Sequence, residues 1–445
     1  MLEFYQKNYQ KSSVKAVRAK IQITKDLKER MQKEVPSISN VYNQFTHNAE
    51  GSPMKEYDVV VCGGGIAGSV AAKFSAVHGF KTLLVEQHKT PRNKPCSGIQ
   101  FTYFEKLIGE KIPKEKLCTN ELYKVKMITP EGTPMDGSLK MLNFWRSTFD
   151  HWLNTLAVDA GAVFCDETVL KDFQVREKEK IKEKREKEGK GEEKVNEKWI
   201  EVTLQSKNQQ EKVKTRYLIG ADGSRSYIRK KMRPQDFGRA SGATVNYYFV
   251  GDSDIDPNTL YMFYNREFCP LMFAWVYMKD DQCVIGTGAD KNPLTYAQKF
   301  FDHVKEHYHL RGEVVKREGF SSTLQEGVYL GEGNILMTGD AAGLVDLYRG
   351  LGMDNAALSG RLAVKAIIQA EKKGCPPIEV YQHLMKRTVR NLENNAQKQA
   401  ARYATNETLE KSLSPLNLLK GGLYMVVATQ INRILPPERM IVLPP

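Results

Sequence analysis

The chain has 445 residues, long enough for two or three domains, and its 41% hydrophobic and 9% aromatic content excludes wholesale disorder. Its formal net charge of +13 points to an anionic ligand or lipid surface; no zinc-finger spacing, basic zipper or RNP segment accompanies it, so no nucleic-acid partner is expected. The cysteines (Cys62, Cys96, Cys118, Cys165, Cys269, Cys283, Cys375) are odd in number and never spaced C-x-x-C, which argues against a disulfide framework, a zinc ribbon or a cysteine-ligated cluster. The start MLEFYQKNYQ lacks the apolar core of a secretory signal, and no apolar run approaches the roughly 18 residues of a spanning helix. The expected location is cytoplasmic, soluble or peripheral on a membrane.

In chain order, residues 1–55 form a polar, lysine-rich extension. Within it VKAVRAKIQITKDLKERMQKEV reads as a solvated helix or arm ended by Pro36, with a membrane or partner contact as the alternative. The compact fold begins at YDVVVCGGG. Asp58–Val61 reads as a buried parallel strand, 67–78 as a helix and KTLLVEQ as the next strand, which makes a βαβ unit. Residues 176–198 are almost wholly charged, with both signs mixed, between strand-like TVLKDFQV and KWIEVTLQS. They read as a solvated insertion at a hairpin tip or a short exposed helix. Segments such as ASGATVNYYFV and LMFAWVYMKDDQCVIGTG make 236–330 an antiparallel β-rich domain. Residues 355–373 and 376–402 read as helices. The expected architecture is α/β: a discontinuous Rossmann-type domain over 56–235 and 331–375, the inserted β-rich substrate domain, and a C-terminal helical region over 376–445.

Gly63-Gly64-Gly65-Ile66-Ala67-Gly68 satisfies G-x-G-x-x-G after an apolar strand and before a helix, and Glu86 ends the following strand. Gly63 makes the tight turn, Gly65 lets a pyrophosphate approach the backbone, and Gly68 lets the helix pack on the sheet. The helix start offers unpaired N–H groups and a positive dipole end to phosphates, and Glu86 can accept ribose hydroxyls. This fingerprint alone does not separate NAD from FAD.

Two later segments do so by resemblance. YLIGADGSRSYIRKKM sets Asp222-Gly223, Ser226 and Arg229 in the order D-G-x-x-S-x-x-R. ILMTGDAAGLVDLYRGLGMDNAALSG sets Gly339-Asp340 after an apolar strand and Gly350-Leu351-Gly352 before a helix. Together they resemble the downstream motifs of the FAD-dependent hydroxylase-like superfamily, which implies FAD and a glutathione-reductase-like topology. A helix aimed at the flavin from Gly352 would stabilise negative charge on the reduced ring.

Three further segments resemble the geranylgeranyl reductase family, which reduces C=C bonds in isoprenoid chains of lipids. PRNKPCSGIQ matches its K-P-C-[GS]-G segment and FWRSTFDHWLNTLAVDAGA its R-x-x-F-D-x-W-L helix. In its cavity motif Y-x-W-x-F-P-K, the positions fall on Phe273, Trp275, Tyr277 and Lys279. The resemblance spans about residues 56–405. It implies FAD contacts at Ala67, Glu86, Cys96, Ser97, Ile99, Arg146, Val169, Asp340, Gly352 and Met353, beside Gly63, Gly65, Gly68, Asp222 and Gly339 from the motifs above. Met278 stands where the cavity motif has proline, and Asp346-Leu347-Tyr348-Arg349-Gly350 where the last motif has D-P-x-x-G, which bears on the substrate.

The chemistry expected is hydride transfer from reduced flavin N5 to an alkene carbon, with a proton added to the other. Cys96 would position the ring or relay that proton, and Trp275 and Tyr277 would wall a dry apolar cavity; a buried structural cysteine and ordinary sheet core are the plain alternatives. The expected partners are an isoprenoid lipid, an anionic membrane surface and an electron donor, either NAD(P)H or a ferredoxin-like protein. Rival readings are an FAD monooxygenase acting on an apolar substrate and a non-catalytic flavin protein. His303, Glu306 and His307 spell the zinc motif H-x-x-E-H, but without a third ligand they read as a solvated helix face, and no metal is expected.

Overall fold

The computed structural model describes residues 54–437, apart from 187–188, 208, 238–240, 324–326 and 347–349. The helix expected inside the N-terminal extension lies outside the described residues.

Two sheets organise the chain. In the first, parallel strands run in the order Ile335–Met337, Gln209–Gly220, Lys55–Cys62, Thr82–Val85 and Val163–Cys165, with Gly331–Glu332 antiparallel at one edge. Val59, Val60 and Val61 are all fully buried, as consecutive residues of a strand covered on both faces must be. The helix Ile66–Val77 packs between Arg146–Asp159 and Met353–Lys373. This is the Rossmann-type arrangement expected from the sequence, including the return of residues 335–337 to the same sheet.

The second sheet runs Arg311–Thr323, Ser241–Asp252, Gln282–Ala289, Ala274–Lys279, Thr259–Phe263, Cys118–Ile128, Pro134–Phe144, Ile99–Phe101. Its neighbours are antiparallel except Thr259–Phe263 against Cys118–Ile128, which run parallel. The last three strands correct the sequence-based boundaries, which left 56–235 in the nucleotide-binding domain. The first seven residues of Pro134–Phe144 alternate exposed and half-buried positions, as on a sheet with one wet face, before four consecutive buried residues. On one face the helix Pro293–His307 places Phe300, Phe301 and Val304 against Val245, Phe249 and Ile285. The opposite face holds Leu122, Met141, Tyr248, Tyr277 and Val284, with Trp145 and Trp275 half-buried beside them.

The charged stretch continues the two strands of a long hairpin, Thr168–Glu186 paired with Gly189–Ser206, so the hairpin reading holds and the helical one does not. Opposite charges face one another across it at Glu177 and Lys198, which favours pairing despite the polarity. Helices Pro377–Arg402, Asn406–Ser412 and Pro415–Ile434 follow. Among the described residues no helix is long and apolar enough to cross a membrane.

Candidate active site

The glycine loop leaves the strand Lys55–Cys62 at Gly63, whose φ of +110° suits glycine. A side chain at Gly63 would stand 2.2 Å from Ala221 O, and one at Gly68 1.9 Å from Gly63 O, so both positions are closed by backbone. At Gly65 the surroundings differ: only the Arg92 guanidinium comes near. No side chain caps the helix that starts after Gly65, and no acidic residue occupies its first turn. Glu86 is buried; its Oε2 accepts from Gly64 N at 2.9 Å and its Oε1 from His88 N at 3.0 Å.

From Glu86 a chain of contacts runs around a groove. Arg92 pairs with Glu86 at 3.2 Å and reaches Asp150 at 3.5 Å. Asp150 is gripped by Arg146 through two bonds of 2.7 and 2.8 Å, one helical turn apart on Arg146–Asp159. The Arg146 charge also acts on the Cys96 sulfur, which lies 3.8 Å from Met353 Sδ at the start of Met353–Lys373. Beside that start, Gly352 faces Asp340, and Asp340 pairs with Lys94 at 3.2 Å. Gly339 abuts Ala67, which returns the circuit to the glycine loop.

Charge inside this circuit is balanced by neighbours. Burial would raise the Cys96 thiol, but the Arg146 charge, the Gly98 backbone N–H and Lys94 outweigh it and bring it below the ordinary thiol value. Asp340 behaves alike: burial opposes its charge, and Lys94 and Arg146 hold it below the usual carboxylate range. Asp222 goes the other way, raised by burial despite bonds from Ser226 and Ile228, and its buried Oδ1 has no partner among the described residues.

The remaining sequence-derived positions take their places around this frame. Ser97 Oγ accepts from Ile99 N at 3.3 Å, and Ile99 pairs with Asn143 in the second sheet. Val169 is half-buried next to Thr168, whose N–H donates to Glu86 O at 2.8 Å. Trp275 donates from Nε1 to Asn246 Oδ1 at 2.9 Å, while Tyr277 lies buried in the cluster with Tyr248. His303 and His307 stack at 4.0 Å on Pro293–His307, with His303 against Phe268.

No family model matches the chain. It is 28% identical over 342 residues to the geranylgeranyl diphosphate reductase of Rhodobacter capsulatus, covering 72% of this chain and 77% of that protein. With digeranylgeranylglycerophospholipid reductase 2 of Methanothermobacter thermautotrophicus the identity is 26% over 344 residues, covering 72% and 80%. The chain is similar to these geranylgeranyl reductases. Among solved structures, a geranylgeranyl bacteriochlorophyll reductase-like protein from Thermoplasma acidophilum superposes with a TM-score of 0.67 at 19% identity, over 86% of this chain and all of that one. A complex of aklavinone-11 hydroxylase with FAD and aklavinone gives 0.58 at 16% identity, over 78% and 70%. The fold is therefore the one these structures share, a Rossmann-type sheet with a second, β-rich sheet.

Several residues of the site escaped the sequence reading. Arg92 and Lys94 lie between the two prolines of the segment before Cys96, and their cationic character in a loop after the fingerprint strand was the available signal. Asp150 was visible as the acid one turn beyond Arg146, but its link to Arg92 depends on the fold. Tyr248, which donates to Glu318 at 2.8 Å, had no sequence signal at all.

Proposed function

We propose that the chain binds FAD in this groove and reduces C=C bonds in the isoprenoid chain of a lipid. The observation that carries this reading is the closed circuit, with Cys96 between the Rossmann-type half and the aromatic face of the second sheet. Its residues fit FAD: an uncapped helix start for the pyrophosphate, acidic Glu86 and Asp340 for hydroxyl groups, and a partnerless Asp222 oxygen. Arg146, Ala67, Ser97, Ile99, Val169, Gly339, Gly352 and Met353 complete the proposed lining. Bound FAD, once reduced, supplies a hydride.

The protein's own share is to hold the proton and exclude water. Hydride goes to one alkene carbon and a proton to the other. Cys96 Sγ holds that proton, and its depressed pKa makes it the better acid. Arg146 stabilises the thiolate left behind. Trp275, Tyr277 and Tyr248 form an apolar wall against which a long chain can lie without water. The helix Pro415–Ile434 exposes Leu416, Leu419, Leu423, Val427, Ile431 and Ile434 three or four residues apart. This stripe supports peripheral contact with a membrane from which the lipid is drawn.

The competing reading is a monooxygenase, favoured by the hydroxylase among the structural neighbours. Both are tested by reducing the flavin-loaded protein chemically without oxygen and adding a geranylgeranyl lipid. The expected result is flavin reoxidation with a product heavier by two hydrogens, slowed at least about a hundredfold in Cys96→Ala with flavin content unchanged. A product heavier by one oxygen, formed only in air, would replace the reductase reading.

A further inference from the structure

One buried cation stands beside this circuit without belonging to it. Lys279 ends the strand Ala274–Lys279 and is 1% exposed. Its ammonium donates to Ser97 O and, at 3.1 Å, to Phe144 O. It lies 4.6 Å from the centre of the Trp145 ring, which is itself fixed by a 2.8 Å bond from Nε1 to Asp280. Both hydrogen-bond acceptors are neutral carbonyls, and Asp280 and Glu318 act on the ammonium only through space. Such burial is unfavourable unless the geometry gives something in return, since an apolar side chain would fill the sheet face as well.

What it holds is the loop carrying Cys96. Ser97 O and Phe144 O belong to two separate segments, and the ammonium bridges them. Gly98 lies with φ +66° against Phe144 O, so close that a side chain there would stand 1.9 Å from that oxygen. Phe144 N in turn donates to Gly98 O at 3.2 Å. Cys96 and Lys279 also feel one another: after burial, which lowers the ammonium to about 8, the Cys96 anion is the largest influence and raises it.

We propose that Lys279 is a positioning residue that pins the Cys96–Gly98 loop to Phe144 and, by its positive charge, sets the reactivity of the Cys96 thiol. Its consequence for catalysis rests on the flavin reductase reading; the clamp itself does not.

The test uses the full chain with no flavin added. Cys96 alkylation by iodoacetamide is followed against pH by peptide mass spectrometry, with half-buried Cys118 as the internal standard. In Lys279→Met and Lys279→Gln the rate at pH 7 should fall about tenfold relative to Cys118, with the midpoint of the profile moved upward. Lys279→Arg, which keeps the charge, should restore most of it. Gln retains a donor for the carbonyls, so it tests the charge even if Met fails to fold, which circular dichroism reports. Profiles for Gln and Met that coincide with the wild type overturn the proposal, as does wild-type Cys96 reacting no faster than Cys118. A parallel FAD titration separates the two readings: wild type that takes up no FAD yet shows the lysine dependence removes the flavin reading and leaves the clamp.

Discussion

The cost of burying Lys279 has a sign that pH reveals. Burial pushes its ammonium from the ordinary 10.5 down to about 8. Below pH 8 both folded and unfolded chains hold the proton, and folding bears the full penalty of burying charge. Between about 8 and 10.5 the unfolded chain keeps a proton that the folded one has released, so this contribution to stability rises with pH. The unfolding free energy of the wild type, measured by urea denaturation, should therefore gain on that of Lys279→Met as pH goes from 8 to 10; a constant difference would mean the lysine does not titrate there. The glycines separate fold from function in the same direct way. A Cβ at Gly68 meets backbone, whereas at Gly65 it meets only the movable Arg92 end. Gly68→Val should fail to accumulate as folded protein. Gly65→Leu should fold with stability within about 1 kcal/mol of wild type yet take up no FAD in a fluorescence titration.

At the level of elements, the helix Arg146–Asp159 joins the two halves of the site through one buried ion pair. Both Arg146 and Asp150 are at most 5% exposed, so removing one partner strands the other charge. Asp150→Ala is expected to lose about 3–5 kcal/mol by denaturant titration, and a loss below about 1 kcal/mol would show that Cys96 suffices to balance the guanidinium. The elements of the nucleotide-binding half were readable because each announces itself locally. Val59–Val61 is an unbroken apolar run, Gly63–Gly68 has fixed spacing, and the helix after Gly352 follows its own glycine. The strands Cys118–Ile128 and Pro134–Phe144 were not: they pair with one another, but the strand that ties them to the rest of the second sheet, Thr259–Phe263 against Cys118–Ile128, is more than a hundred residues away and nothing local specifies it. The same holds within the site: Cys96 and Arg146 stood out by motif, but their interaction with one another, and the circuit through Arg92, Asp150 and Lys94, exist only after the halves meet.

For the molecule as a whole, the membrane contact proposed above draws on both the apolar stripe on Pro415–Ile434 and the net charge of +13. Co-sedimentation with vesicles containing anionic lipid should capture the wild type, and the double change Leu419→Ser and Leu423→Ser should weaken capture on the order of tenfold or more, since each leucine now meets solvent. Equal capture of both proteins would place the contact elsewhere. The weaving of the two sheets carries a consequence for how the protein comes into being. The chain lays down Lys55–Cys62 and Thr82–Val85, leaves for the second sheet, returns for Val163–Cys165 and Gln209–Gly220, leaves again, and closes the first sheet only with Ile335–Met337. Until that strand emerges from the ribosome, the edge of Gln209–Gly220 is open, and the wall formed by Asp340, Gly352 and Met353 does not yet exist. A nascent chain thus carries the glycine loop for most of its synthesis with no groove around it. Whatever ligand the groove holds is captured by the nearly finished polypeptide, and a shortage of that ligand would be felt after translation rather than during it.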